Sequence, residues 1–228
     1  MKPKISYICT SCQYKNPAWA GQCPQCGEWN TMQEQVEEAQ TKRTTGLKSA
    51  PTRTTSINAF EKSENRRIKT GIEELDRTIG GGFLQSSFTL LTGEPGIGKS
   101  TLTLQIAHAI ANQNKKVLII SGEESEYQLQ ERAHRLNTTN KNIQIANESR
   151  LETIIATTEL EKPEFLIIDS IQVVGTDMIP STPGSITQVR FCTEELLGYC
   201  KKNSITTIII GHVTKDGLLA GPKTLEHL

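Results

Sequence analysis

Residues 88–101 read Phe-Thr-Leu-Leu-Thr-Gly-Glu-Pro-Gly-Ile-Gly-Lys-Ser-Thr, a short apolar run that passes directly into three glycines and a Lys-Ser pair. The first five residues predict a buried strand. From Lys99 onward the spacing predicts a helix with Leu102, Ile106 and Ile110 on one face. Strand, glycine loop and helix form the context in which GxxxxGK[ST] holds phosphate: Gly93, Gly96 and Gly98 let backbone N–H groups come close, and the helix N-terminus adds positive potential. Lys99 is expected to reach the β and γ phosphates of a nucleotide, with the Ser100 hydroxyl on Mg²⁺. The candidate nucleotide-binding loop is therefore Gly93, Glu94, Pro95, Gly96, Ile97, Gly98, Lys99, Ser100 and Thr101.

Outward from this loop, β-prone runs at 88–92, 116–121, 143–146, 165–169 and 205–211 alternate with helical spacing near 99–113, 125–136, 149–160 and 185–203. Such alternation predicts an α/β fold with a mostly parallel sheet covered by helices. The run Phe-Leu-Ile-Ile-Asp at 165–169 ends in a carboxylate, and Asp169 is a candidate to hold Mg²⁺ through water. Glu123, in Ser-Gly-Glu-Glu-Ser at 121–125, follows another strand and is the candidate base for hydrolysis, with Glu124 second. Ligands of open α/β sheets bind at strand C-termini, which favours that reading over ordinary charge at a helix start. His212 closes the run 205–211 and is expected at the same edge.

Residues 1–30 differ in kind: they hold four of the six cysteines and both tryptophans. Cys9-x2-Cys12 and Cys23-x2-Cys26 have the spacing of two knuckles around one zinc ion. With four protein ligands the site would be structural or used in recognition. Gly21 and Gly27 are expected to supply positive φ angles, and Trp19 and Trp29 to pack over the site. Residues 31–67 are polar and turn basic from Lys42, which reads as a linker before a core at 68–228. Cys192 and Cys200 are expected as buried thiols.

The 228 residues carry 25 basic and 25 acidic side chains, a net charge of zero, so total charge announces no nucleic-acid partner. No run approaches the roughly 18 apolar residues of a membrane helix. The N-terminus lacks a signal-peptide core. A cytoplasmic protein without a membrane partner is the expectation.

The segments TGIEELDRTIGGG, GEPGIGKST, SGEES, LIIDSIQ, PGSITQVR and GHVTKDGLLAGPKTLEH follow the four cysteines in this order, and together they resemble the bacterial RadA (Sms) family. The resemblance implies a RecA-like P-loop ATPase core preceded by a zinc-ribbon-like module. It implies a DNA-dependent ATP hydrolase of recombinational repair that translocates on single-stranded DNA, migrates branched DNA with RecA, and works as a hexameric ring. It places ATP and Mg²⁺ on Lys99, Ser100 and Asp169, zinc on the four cysteines, the base at Glu123 and a nucleotide-state switch at His212. DNA contacts are expected in the loops ending at Arg190 and carrying Lys215 and Lys223. The same resemblance implies that the core stops short at Leu228, before the family's remaining strands, its Lys-Asn-Arg-Phe-Gly motif and its Lon-protease-like domain. The alternative expectation is a zinc-bearing nucleotide- and DNA-binding module with little or no turnover. Leu84-Gln85-Ser86-Ser87 replaces the family's usual Pro-Gly-Ser turn.

Overall fold

In the computed structural model, the described residues are 4–12, 14–37, 54, 56 and 67–212, so Lys215 and Lys223 lie outside them. The chain divides into two units, Met1–Phe60 and Glu61–Leu228.

The first unit holds three antiparallel strands, β1 (Lys4–Cys9), β2 (Lys15–Asn16) and β3 (Met32–Glu37), in the order β2-β1-β3. β3 runs the full length of β1, from Cys9 opposite Met32 to Lys4 opposite Glu37. The sheet thus continues past residue 30, and the first residues assigned to the linker belong to it. Among the described side chains its apolar centre is Cys9, Cys23 and Met32, with Tyr7 packed against them. A module this small ordinarily needs a metal or disulfides to stay folded.

The second unit opens with a two-stranded antiparallel pair, β4 (Arg67–Ile68) and β5 (Phe83–Leu84), on either side of α1 (Glu73–Thr78). Asp76 ties this segment together. Its carboxylate accepts from the N–H and hydroxyl of Thr70 and the N–H of Gly71 at 2.9–3.1 Å.

Beyond it, β6 (Phe88–Gly93), α2 (Lys99–Ala111), β7 (Val117–Ser121), α3 (Glu126–Arg135), β8 (Ile143–Asn147), α4 (Leu151–Glu161), β9 (Phe165–Asp169), α5 (Ile186–Lys202) and β10 (Thr206–His212) follow in the expected alternation. The five strands are all parallel, in the order β6-β10-β9-β7-β8. Because strand side chains alternate between faces, each central strand feeds two cores. Val117, Ile119, Phe165, Ile167 and Ile208 meet Leu104, Ile106, Ala107 and Ile110 of α2 on one face. Leu118, Ile120, Leu166, Ile168 and Ile209 meet Leu151 and Ile154 of α4 and Val189, Cys192 and Leu196 of α5 on the other. Each of the Val, Leu, Ile and Phe side chains contributes about 1.5–3 kcal/mol on burial. This two-sided core fixes the strand order, and the order decides which loops share the C-terminal edge.

Cys192 and Cys200 are both buried, as expected, and burial pushes both thiols up to about 11. Ser86, in the turn that replaces Pro-Gly-Ser, has φ +63°, a left-handed conformation that glycine adopts freely and serine does not.

Candidate functional site

Four strand ends meet at the C-terminal edge of the sheet. β10 lies between β6 and β9, with His212 opposite Gly93, and β7 lies beside β9, with Ser121 opposite Asp169. The phosphate-loop residues, His212, Asp169 and Glu123 therefore share one edge.

The loop itself is built as its pattern requires. Gly96 and Gly98 have φ +81° and +103°, and Gly98 stands at the start of α2. Residues 94–98 are exposed and Ile97 is 71% accessible, while Lys99 is only 7% accessible. The ammonium of Lys99 donates to Gly93 O at 2.8 Å and Glu94 O at 2.9 Å, which holds it inside the loop's curve. The Ser100 hydroxyl at the start of α2 stands close enough to favour the Asp169 carboxylate on β9, bringing together the two residues expected to share a magnesium ion. Burial raises the Asp169 carboxyl above the ordinary aspartate range; the Ser100 hydroxyl works against this, and the Glu123 charge adds to it. A divalent cation would relieve that cost, so the pair suits Mg²⁺ in chemistry as well as position.

Glu123 and Glu124 have different surroundings. Glu124 is paired with Arg132 of α3. Glu123 Oε1 accepts from Ser170 Oγ at 2.6 Å and lies 3.2 Å from His212 Nε2. Glu123 keeps 42% of its side chain accessible and His212 29%. Of the two carboxylates, only Glu123 is free of a cationic side chain of fixed charge and open to the edge. The segment carrying it sits tightly on β9: Gly122 N donates to Asp169 O at 3.1 Å, and a Cβ added at Gly122 would come within 2.3 Å of Val173 Cγ2. Nearby, Gln172 Nε2 donates to His212 O at 3.4 Å. His212 Nδ1, Gln172 Oε1 and Glu124 Oε2 are buried polar atoms without a hydrogen-bond partner among the described residues.

Ser170, Arg132 and Gln172 were not singled out from the sequence. Ser170 directly follows Asp169 in LIIDSIQ, and that adjacency was the available signal. Of the expected DNA contacts, only Arg190 lies among the described residues. Arg190 lies within α5, which begins at Ile186, rather than at a loop's end, and its Nε donates to Glu194 Oε1 at 2.8 Å. The preceding loop is pinned by the buried Gln188, whose amide donates to Thr176 O and Ser181 O.

In the first unit the sulfurs of Cys9, Cys12, Cys23 and Cys26 all lie within 4.8 Å of one another. Two pairs, Cys9–Cys26 and Cys12–Cys23, are 3.6 Å apart. Thiolates placed tetrahedrally at a zinc–sulfur distance of about 2.3 Å would be about 3.8 Å apart, so the set fits zinc closely. The Thr31 hydroxyl is the main influence holding the Cys9 thiol down, to about 6. Cys26, despite the Glu28 N–H that favours its thiolate, is pushed up to about 12 by burial and the other three thiols. Four sulfurs this close can all ionise only around a cation.

The knuckle turns differ from expectation in two respects. Gly27 has φ +74° but Gly21 does not take a positive φ; a Cβ there would only make ordinary contacts with Trp19 at 3.6 Å and Trp29 at 3.9 Å. Trp19 and Trp29 do not close over the sulfurs: they are 65% and 69% accessible.

Taken together, the sheet order, the glycine loop entering α2 and the acidic strand end define a P-loop ATPase domain of RecA-like build, with a four-cysteine zinc ribbon in the other unit. Residues 68–161 match the ATPase family described as KaiC, and residues 7–34 match the zinc-ribbon family described as a rubredoxin metal binding domain. Over 100% of its length the chain is similar to the DNA repair protein RadA of Aquifex aeolicus (44% identity over 227 residues) and of Bacillus subtilis (43% over 231 residues), covering 50% of each. That of Chlamydia muridarum is 44% identical over 227 residues with the same coverage. The chain is thus similar to RadA proteins over its whole length, and it spans about half the length of the curated relatives it matches. No helix among the described residues is long and apolar enough to cross a membrane.

Proposed function

We propose that this chain is the nucleotide-driven part of a cytoplasmic DNA-repair protein. It hydrolyses ATP in response to single-stranded DNA and uses the energy for translocation and for branch migration of recombination intermediates, together with RecA and as a ring of like subunits. The observation that supports this best is the convergence of the phosphate loop, the Ser100–Asp169 pair and Glu123 at one edge of the sheet.

In this reading, Lys99 exchanges its two loop carbonyls for phosphate oxygens, and the N–H groups from Gly96 to Ser100 line the same phosphates. Ser100 and Asp169 hold magnesium, which supplies charge neutralisation at the β and γ phosphates. Glu123 orients a water and takes its proton. His212 carries the state of that carboxylate to the backbone beyond β10. DNA is met by the loop 174–185 and by Lys215 and Lys223. Arg190, already paired with Glu194, contributes less. The zinc ribbon is a structural or recognition module.

The test is ATP turnover by the purified chain with and without single-stranded DNA, beside Lys99→Ala and Glu123→Gln. Turnover stimulated by DNA is expected to vanish in Lys99→Ala. In Glu123→Gln it should fall by roughly 10²–10⁴-fold while nucleotide binding persists. Stimulation should weaken steeply with salt, because DNA binding releases counterions. Turnover indifferent to Lys99→Ala would refute the site. Nucleotide and DNA binding without turnover would refute the hydrolase reading for this chain and leave a binding module.

A further inference from the structure

Ser170 is wholly buried, yet its hydroxyl is spent on the carboxylate of Glu123, which is exposed. A buried hydroxyl can be satisfied by any nearby carbonyl, as Thr158 Oγ1 is by Ile154 O and Thr193 Oγ1 by Val189 O. Ser170 instead reaches across to the loop after β7, and at 2.6 Å its bond is of the short, charge-assisted kind. His212 Nε2 approaches the same oxygen, Oε1, from β10 at 3.2 Å. Two groups, one directly after β9 and one at the end of β10, thus converge on one carboxylate oxygen. Glu123 Oε2 is left without a partner among the described residues, the oxygen available to a water.

We propose that Ser170 is a positioning residue that anchors Glu123 Oε1, so that Oε2 faces the reacting water. The inference rests on the reading of Glu123 as the base. Ser170 adjoins Asp169 in the chain, and Gly122 N is bonded to Asp169 O. The base is therefore registered, by one backbone and one side-chain hydrogen bond, against the segment that holds the magnesium carboxylate. Without the hydroxyl, only His212 holds Oε1. The carboxylate then turns about its last two torsions, and a displacement of about 1 Å costs on the order of 10²-fold in rate.

Ser170→Ala and Ser170→Thr are compared with the parent for ATP turnover, for affinity toward a fluorescent ATP analogue, and for the His212 ring resonances by NMR. The expected result for Ser170→Ala is a kcat lowered by about ten- to a hundredfold, with KM and analogue affinity within about twofold of the parent. The His212 ring signals should shift, because its carboxylate partner has moved. Ser170→Thr, which keeps the hydroxyl, should recover most of kcat if it binds the analogue as the parent does. Unchanged kcat in Ser170→Ala overturns the proposal. A parallel loss of kcat and analogue affinity also overturns it, since that is the mark of a merely structural serine. If the parent itself shows no turnover, the hydrolase reading fails separately, and the His212 signals decide: a shift in Ser170→Ala supports the anchoring contact, and unshifted signals refute it.

Discussion

Replacing Gly122 by alanine is a demanding test of how the segment carrying Glu123 meets the turn after β9. The new Cβ would stand 2.3 Å from Val173 Cγ2 and 3.3 Å from Val173 Cβ. Valine cannot turn aside as a long side chain would, because its two γ carbons leave one preferred rotamer. Gly122 has no positive φ, so alanine brings no backbone strain and the steric term stands alone. Overpacking of this kind costs about 1–3 kcal/mol. Loss of glycine's freedom in the unfolded chain returns about 0.4–1 kcal/mol. The net destabilisation should be about 1–2 kcal/mol, a fall in Tm of about 2–8 °C for a unit of this size. Far-ultraviolet circular dichroism is the suitable probe, since all five described helices lie in the second unit and both tryptophans in the first. The decisive construction is the double variant Gly122→Ala/Val173→Ala. Removing Val173 Cγ2 makes room for the new Cβ, so the two changes should compensate, with a coupling of about 1–2 kcal/mol. Strictly additive losses would refute the close contact and the account of why glycine stands beside Glu123.

Two further outcomes follow from the geometry. The chain should carry about one zinc ion, lost in Cys9→Ser; chelation should alter tryptophan emission while leaving the helical signal, and freshly reduced protein without zinc would contradict the site. For Asp76, burial opposes ionisation, but the Thr70 N–H, the Thr70 hydroxyl and the Gly71 N–H outweigh it and hold the carboxyl below the ordinary range. Its contribution, about 1.5–3 kcal/mol, is therefore whole above the unfolded value of about 3.9. It is lost as pH falls through the lowered native value. Asp76→Asn should be less stable than the parent near neutrality, with the gap closing on acidification, and a gap independent of pH would refute the assignment.

The central sheet was legible because its three inner strands, β7, β9 and β10, are buried on both faces. Runs such as Phe165–Asp169 carry no polar side chain before their end, and the observed strands depart from the expected ones by a residue or so. The phosphate loop was legible because its chemistry constrains spacing as well as residue type. By contrast β3, Met-Gln-Glu-Gln-Val-Glu, is mostly polar, and its place is set by pairing with β1 rather than by a hydrophobic pattern. Arg190 could have been placed from the sequence. Ser185 and Gln188 have helix-start spacing, and the Ser185 hydroxyl does accept from Gln188 N, which puts Arg190 inside the helix. The contact of Ser170 with Glu123 depends on β7 and β9 being neighbours, which alternation alone does not specify. The exposure of Trp19 and Trp29 ran against their size.

The charges at the sheet edge explain why these residues belong together. Three carboxylates, Glu123, Glu124 and Asp169, gather where β7 and β9 end, and the nearby cations are already engaged. Arg132 neutralises Glu124, and Lys99 is bonded to Gly93 O and Glu94 O. Asp169 has no salt-bridge partner among the described residues, and burial, with the Glu123 charge adding to it, raises its carboxyl. A bare polyphosphate would bring more negative charge to an edge with no uncommitted cation among these groups. On the proposed reading, a phosphate carried with a divalent ion would bring compensation for Asp169 and leave Lys99 to turn from its carbonyls to the terminal phosphates. The arrangement would then favour the magnesium complex over the free nucleotide, and it would keep Glu123, the carboxylate with no fixed-charge partner, for the water.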